Sequence, residues 1–119
     1  MPDEVLAVTR TYELILWAVP QVNKLPRDHR FALGDRIIGH LYDLLELLVE
    51  ASYSSGKAEL LRRANVKVNG LRYLLRLAKD LGLLSLRRYE HGSKQLVEIG
   101  KQIGGWRKST APSVPGSNS

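Results

Sequence analysis

The sequence predicts an all-α protein, an up-down-up-down antiparallel four-helix bundle. Four stretches carry apolar residues at the i, i+3, i+4, i+7 spacing of amphipathic helices. Between them, no segment alternates apolar and polar residues as a half-buried strand would. The four stretches are similar in length and are joined by short loops, which place consecutive helices side by side in opposite directions.

The chain is long enough to bury one hydrophobic core. Its 119 residues are 44% hydrophobic and 25% charged, which are ordinary values for a globular protein. We expect residues 1–108 to form the bundle. Residues 109–119 are dominated by Ser, Pro, Gly and Asn, a composition that predicts a disordered tail.

The first predicted helix runs from about residue 3 to residue 23. Pro20 removes a backbone donor in its last turns, so we expect this residue to kink the helix or to end it early. Trp17 projects from the polar side, either over the helix's own surface or toward another subunit, since Trp is enriched at interfaces. The predicted apolar face consists of Val5, Val8, Tyr12, Ile15, Leu16, Val19 and Val22.

The second predicted helix starts near Pro26 and Asp28, reaches about Tyr53 and has an unusually wide apolar face. An acidic stripe (Asp35, Asp43, Glu46 and Glu50) lies opposite that face. The apolar residues cover about half of the circumference, more than the roughly 100° that is typical of a surface helix. This width predicts burial on two sides, which in a single four-helix chain indicates self-association. The wide face includes three predicted interface residues, Leu41, Leu47 and Leu48.

The third predicted helix runs from about residue 57 to residue 81, where Gly82 provides a natural stop. Ser85 is a suitable N-cap for the fourth, which we expect to end near Trp106. The residues predicted to face inward on the fourth helix are Tyr89, Leu96, Ile99, Ile103 and Trp106.

Charge is divided unequally between the two halves of the chain. Residues 1–56 contain five basic and eight acidic residues, a net −3, whereas residues 57–119 contain thirteen basic and four acidic residues, a net +9. An array of one sign attracts a polyanion and releases its counterions. The sequence therefore predicts RNA or DNA as a partner.

Six polar side chains on one face of the third helix form the predicted binding stripe. An Arg guanidinium matches phosphate geometry, and Asn adds neutral donors and acceptors for sugars or bases. The alternative is that these residues only solvate the bundle and pair with the acidic stripe. The net charge of +5 over residues 57–82, from seven basic and two acidic residues, favours binding. The stripe consists of Arg62, Asn65, Asn69, Arg72, Arg76 and, at its edge, Lys79.

Other basic residues fall outside this stripe. Arg63 and Lys67 project toward the apolar side of the third helix, so we expect them to form salt bridges with a neighbouring subunit. The remaining cations extend positive charge along the fourth helix and are Arg87, Arg88, Lys94, Lys101, Arg107 and Lys108.

The sequence contains no recognisable catalytic constellation. It has no cysteine, and its three histidines (His29, His40 and His91) are scattered, with no Glu-x-x-His pair to build a metal site. Glycine-rich loops of the phosphate-binding kind are absent. We therefore expect a non-enzyme without catalytic residues, metal or cofactor.

Membrane association and export are not expected. No apolar run approaches the roughly 20 residues that a membrane helix requires. The chain opens with acidic residues where a signal peptide would be basic, and the lack of cysteine suits a reducing compartment. These features predict a soluble cytoplasmic protein.

Three stretches, in this order and spacing, resemble the accessory variability protein (Avd) of diversity-generating retroelements. They are LPRDHRFALGDRI at 25–37, LLRRAN at 60–65 followed by LRYLLRLAKDL at 71–81, and VEIGKQIGGW at 97–106. The resemblance covers nearly the whole chain except the tail. It implies a homopentameric barrel of four-helix protomers that binds a reverse transcriptase and nucleic acid and supports error-prone copying of a template RNA into cDNA. It also points first to Arg72 and Arg76 as partner-binding residues.

One alternative stays open. A related group of four-helix proteins shares the fold, and the chain could be a ribosome-associated or scaffolding protein that binds structured RNA. A neighbouring reverse transcriptase gene with a template repeat would favour the retroelement hypothesis.

Overall fold

Four long helices make up the part of the chain that the structure describes. The structure is a computed structural model that describes residues 2–110, except for the side chains of residues 3–5. No strand occurs within that range, which confirms the predicted all-α fold there. The elements are α1 (Asp3–Asn23), α2 (Arg27–His29), a π-helical segment (Arg30–Gly34), α3 (Asp35–Tyr53), α4 (Lys57–Asp80) and α5 (Leu86–Thr110), of which α2, the π-helical segment and α3 form one continuous second helix.

The four helices pack as a bundle in which each contacts two others. α3 lies against α1 and α4, and α5 lies against the same pair. Because the connections are short, consecutive helices run in opposite directions, as the sequence predicts for a four-helix bundle. The body measures 55 × 24 × 23 Å, so one long face of every helix is available to solvent or to a partner.

The loop between α4 and α5 follows the predicted signals. Gly82 has a φ of 74°, and its N–H and that of Leu83 bond the carbonyls of Lys79 and Ala78, which is a Schellman motif. Ser85 then accepts a hydrogen bond from the Arg88 N–H at 3.2 Å and caps α5. This turn fixes how α4 and α5 lie together.

The last helix extends into the residues predicted as tail. α5 continues through Ser109 and Thr110, two residues past the predicted bundle end at residue 108. Each of these hydroxyls bonds a carbonyl three residues earlier, Ser109 to Trp106 and Thr110 to Arg107. The predicted disorder of the remaining tail falls on residues 111–119, which lie outside the described residues.

The buried face of α1 differs from the prediction. Tyr12 and Leu16, assigned to the core, are exposed. The residues that line the core are smaller, because this helix packs close to its neighbours, and Thr11 satisfies its hydroxyl by donating to the Ala7 carbonyl at 2.7 Å. Pro20 does not end the helix, which continues to Asn23. The buried residues of α1 are Ala7, Thr11, Leu14, Ala18 and Val22.

The π-helical segment brings the start of the second helix close to α1. Leu33 and Gly34 are buried there. A Cβ added to Gly34 would lie 2.6 Å from Cγ1 of Val22, so the backbone approaches α1 more closely than a side chain would permit. The second helix was predicted as regularly α-helical, so this segment was not predicted.

Candidate nucleic-acid interface

The six predicted stripe residues lie along α4, and none of them is buried. Asn65 and Lys79 are half-buried and the other four are exposed. Their availability to a ligand depends on the acidic residues around them, which differ along the helix.

At the N-terminal end of the stripe, Arg62 is held by its own helix. Its Nε and Nη2 donate to both carboxylate oxygens of Glu59, at 2.9 and 2.8 Å. The hydrogen bond from Arg62 lowers the pKa of the Glu59 carboxyl, so this acid stays charged. A phosphate would have to compete with Glu59 for this guanidinium.

At the C-terminal end, two cations share one acid. Arg76 Nε lies 3.8 Å from Asp80 and Lys79 Nζ lies 3.5 Å from the same carboxylate. Lys79 also stands over the ring of Tyr89, 4.7 Å from its centroid. One positive charge therefore stays uncompensated in this group.

Arg72 occupies the centre of the stripe and is exposed. Among the described side chains, no carboxylate lies within 4.0 Å of its guanidinium. It is therefore the stripe cation best able to bind an anion without first breaking an ion pair.

Arg72 and Arg76 line an open groove between α4 and α5. Tyr73 and Asn69 join them from α4, and Tyr89 and Ser93 come from α5. Tyr73 and Ser93 were not among the predicted site residues, and Tyr89 was predicted to face inward. The position of Tyr73 between two arginines was the available signal, whereas the contribution of α5 depends on how the two helices pack.

The cations of α5 extend the positive surface, as predicted. All six are exposed. Lys101 lies 3.5 Å from Glu98 of its own helix. Arg87 and Arg88 line a second open surface with Ser85, His91 and Trp17.

The wide apolar face of α3 is covered within the chain. Leu41, Leu47 and Leu48 are 2%, 7% and 0% exposed. The inference of burial on two sides is correct, but the two sides face α1 and α4 of the same protomer. These leucines therefore have no surface to offer another copy, and the width of α3 does not require self-association.

The other predicted interface residues also have intrachain roles, with one exception. Trp17 packs against α5, with its ring centroid 4.9 Å from that of His91 and its edge next to Gly92. Lys67 Nζ lies 3.2 Å from Asp43 of α3, which gives it a salt-bridge partner within the chain. Arg63 is exposed and stays available for a partner.

The described residues contain neither a candidate metal site nor a candidate membrane-spanning helix. Among the side chains that the structure describes, no group of three or more His, Asp or Glu residues is arranged to hold a metal ion. None of the described helices is long and apolar enough to cross a membrane.

His40 lies beside Gly70 at the contact of α3 with α4. Burial and the positive charges of Lys67 and Arg36 lower the pKa of His40 below the ordinary value of 6.5.

The fold and its charged surface define a small helical-bundle protein with a basic face on α4 and α5. The sequence model of the bAvd-like family matches residues 5–110, which span almost the whole bundle, and the chain belongs to that family. This match confirms the resemblance to the accessory variability determinants, an accessory family that is not known to be catalytic. No curated protein matches the chain significantly.

Proposed function

We propose that the chain is a non-catalytic accessory protein of a diversity-generating retroelement. In this role it binds the reverse transcriptase and nucleic acid, both template RNA and cDNA, and supports mutagenic reverse transcription. The family match over residues 5–110 carries this proposal, because it covers all four helices of the bundle. The protein acts by holding its partners together and leaves the chemistry to the polymerase.

The basic face of α4 is the proposed contact surface. Arg72 and Arg76 lead it, since Arg72 has no described carboxylate partner and Arg76 has only a distant one at 3.8 Å. Phosphate contacts of this kind give affinity and orientation with little sequence specificity. They suit a protein that must hold whatever sequence is being copied.

The proposed homopentamer needs a contact surface other than the buried leucines of α3. α1 exposes Tyr12 and Leu16 one turn apart, and neither contributes to the core of the protomer. Exposed apolar side chains placed together favour a protein contact. Self-association through α1 leaves the α4–α5 groove open to nucleic acid.

The double variant Arg72→Ala with Arg76→Ala tests the contact surface. We expect weaker binding of RNA and DNA, and a salt dependence of log K that falls by up to about two units of slope, because each phosphate contact contributes about one. Binding isotherms over a salt series provide the measurement. Thermal unfolding should stay close to wild type, since both side chains are exposed.

Arg62→Ala is the matched control from the same helix face. Glu59 already occupies the Arg62 guanidinium, so this variant should bind nucleic acid nearly as well as wild type. Unchanged affinity for RNA, DNA and reverse transcriptase in the double variant would refute the assignment of the site.

A further inference from the structure

Tyr73 is exposed in a place where packing does not explain it. Tyr73 is 72% exposed and lies on the opposite side of α4 from the buried Leu71 and Leu75. A ring so accessible to water contributes little apolar burial to the fold. It lines the groove together with Arg72 and Arg76, the two leading cations of the basic face.

The surrounding side chains suit a nucleotide. Arg72 and Arg76 are one helical turn apart, about 6 Å along the axis, so they can reach phosphates of neighbouring nucleotides. Asn69 and Ser93 line the groove and can donate or accept hydrogen bonds. Tyr89 is less available as a platform, because Lys79 covers one face of its ring at 4.7 Å.

The exposed ring favours one form of nucleic acid. In a duplex the faces of the bases are stacked on one another and only their edges can be reached. In a single strand every base has a free face, and an aromatic side chain beside cations is the usual platform for it. A duplex could use Arg72 and Arg76 but has no use for the face of Tyr73.

We propose that the groove between α4 and α5 binds single-stranded nucleic acid, with a base stacked on Tyr73 and the adjacent phosphates held by Arg72 and Arg76. This inference rests on the proposed function and deepens it by naming the form of the ligand. A strand that is being copied is single-stranded where it is held ahead of the polymerase.

A thermodynamic cycle with one change in the protein and one change in the ligand tests the stacking of a base on Tyr73 directly. The first change is Tyr73→Ala in the protein, and the second replaces a labelled oligouridylate by an abasic strand with the same phosphates. Wild type should bind the oligouridylate about fivefold to a hundredfold more tightly than the abasic strand. Tyr73→Ala should bind both strands equally and bind an RNA duplex as wild type does.

Two control variants separate stacking from a general loss of structure. Tyr53, at the end of α3, is 89% exposed and lies outside the groove, so Tyr53→Ala should leave the preference for bases intact. Tyr73→Phe keeps the ring and should restore the preference. Circular dichroism and thermal unfolding of all variants should match wild type.

The outcomes distinguish this inference from the proposed function. A Tyr73→Ala variant that still prefers bases, or one that loses duplex and single strand alike, would overturn the stacking while nucleic-acid binding by the basic face stands. Loss of reverse transcriptase binding alone would also overturn it and assign the groove to the polymerase. If the wild-type protein binds neither RNA nor DNA, both the inference and nucleic-acid binding in the proposed function fail.

Discussion

Arg62 and Arg72 belong to the same face of α4, yet their surroundings make them unequal as ligand-binding residues. Arg62 makes two hydrogen bonds to Glu59, three residues earlier, and these contacts raise its pKa further. Arg72 has Asn69 at the corresponding position, which leaves its guanidinium without a charged partner on that side. A single acid at i−3 therefore decides which arginine is poised for phosphate.

Positions of the site residues were largely predictable, but their availability was not. A 100° rotation per residue placed the six stripe residues on one face, and the structure leaves them all unburied. Tyr73 lies between two of them and was missed because only charged and amide side chains were assigned to the stripe. Ser93 joins the groove only through the contact of α5 with α4, which no spacing within one helix reveals.

His40 gives the fold a pH dependence with a definite sign. Burial, together with the positive charges of Lys67 and Arg36, lowers its pKa in the folded state, and Asp43 opposes this shift only in part. The unfolded chain therefore takes up the proton first as the pH falls through the ordinary value of 6.5. Since the unfolded state then binds more protons, the free energy of unfolding decreases on acidification.

Urea unfolding of wild type and His40→Gln between about pH 7.5 and about pH 5.5 measures this effect. Wild type should lose more stability over that interval than the variant, whose side chain does not titrate. Identical pH profiles for the two proteins would contradict the lowered pKa. Other titrating groups are common to both, so they cancel in the comparison.

At the scale of the helices, capping signals were more reliable than apolar spacing. Gly82 and Ser85 act as predicted because a cap depends on neighbouring residues only. The predicted face of α1 was right at Val22, which is buried, but wrong at two positions, because large apolar residues were preferred to small ones. Tyr12 and Leu16 are exposed, whereas the small side chains Ala7 and Thr11 permit close approach and are buried.

Gly92 lies where α5 packs tightly against α1 and α4. A Cβ at this position would lie 2.9 Å from Cδ1 of Leu75 and 3.1 Å from Cζ3 of Trp17. Gly92→Ala should therefore destabilise the bundle by up to about 2 kcal/mol net, since overpacking costs about 1–3 kcal/mol. The better helix propensity of Ala returns at most about 1 kcal/mol of this.

Gly104→Ala is the control for Gly92→Ala, because it changes the same helix where no atom lies within 4 Å of the new Cβ. At Gly104 only the helix propensity changes, so the variant should be more stable than wild type by roughly 0.5–1 kcal/mol. Chemical denaturation of both variants provides the measurement. If both variants shift the free energy of unfolding in the same direction, the space around Gly92 accommodates a Cβ and the contact is not tight.

For the whole molecule, the division of charge along the chain becomes a division in space. The acidic stripe of α3 stays exposed, while α4 and α5 carry the basic surface. The pair between Lys67 and Asp43 joins the two regions at the contact of α3 with α4. A molecule with this charge distribution attracts a polyanion to the basic surface of α4 and α5 and repels it from the acidic stripe of α3.

Self-association could not be inferred from the width of the apolar face of α3. Half of the circumference of α3 is apolar because two neighbouring helices of the same bundle cover it, so Leu41, Leu47 and Leu48 say nothing about a second copy. The proposed contact through α1 instead uses Tyr12 and Leu16, which the prediction had placed inside. The sequence alone does not distinguish an apolar face of α3 that is buried by α1 and α4 from one that is buried by a second copy, because the arrangement of the helices must be known first.

Co-purification with the reverse transcriptase of its retroelement, at low and high salt and with masses read by light scattering, tests the proposed function most directly. We predict an assembly of five 13.4 kDa chains that retains the polymerase at low salt and releases it as the salt concentration rises. Arg72→Ala with Arg76→Ala should shift that release to lower salt. A monomer or dimer that does not bind the polymerase even at low salt would contradict the accessory role.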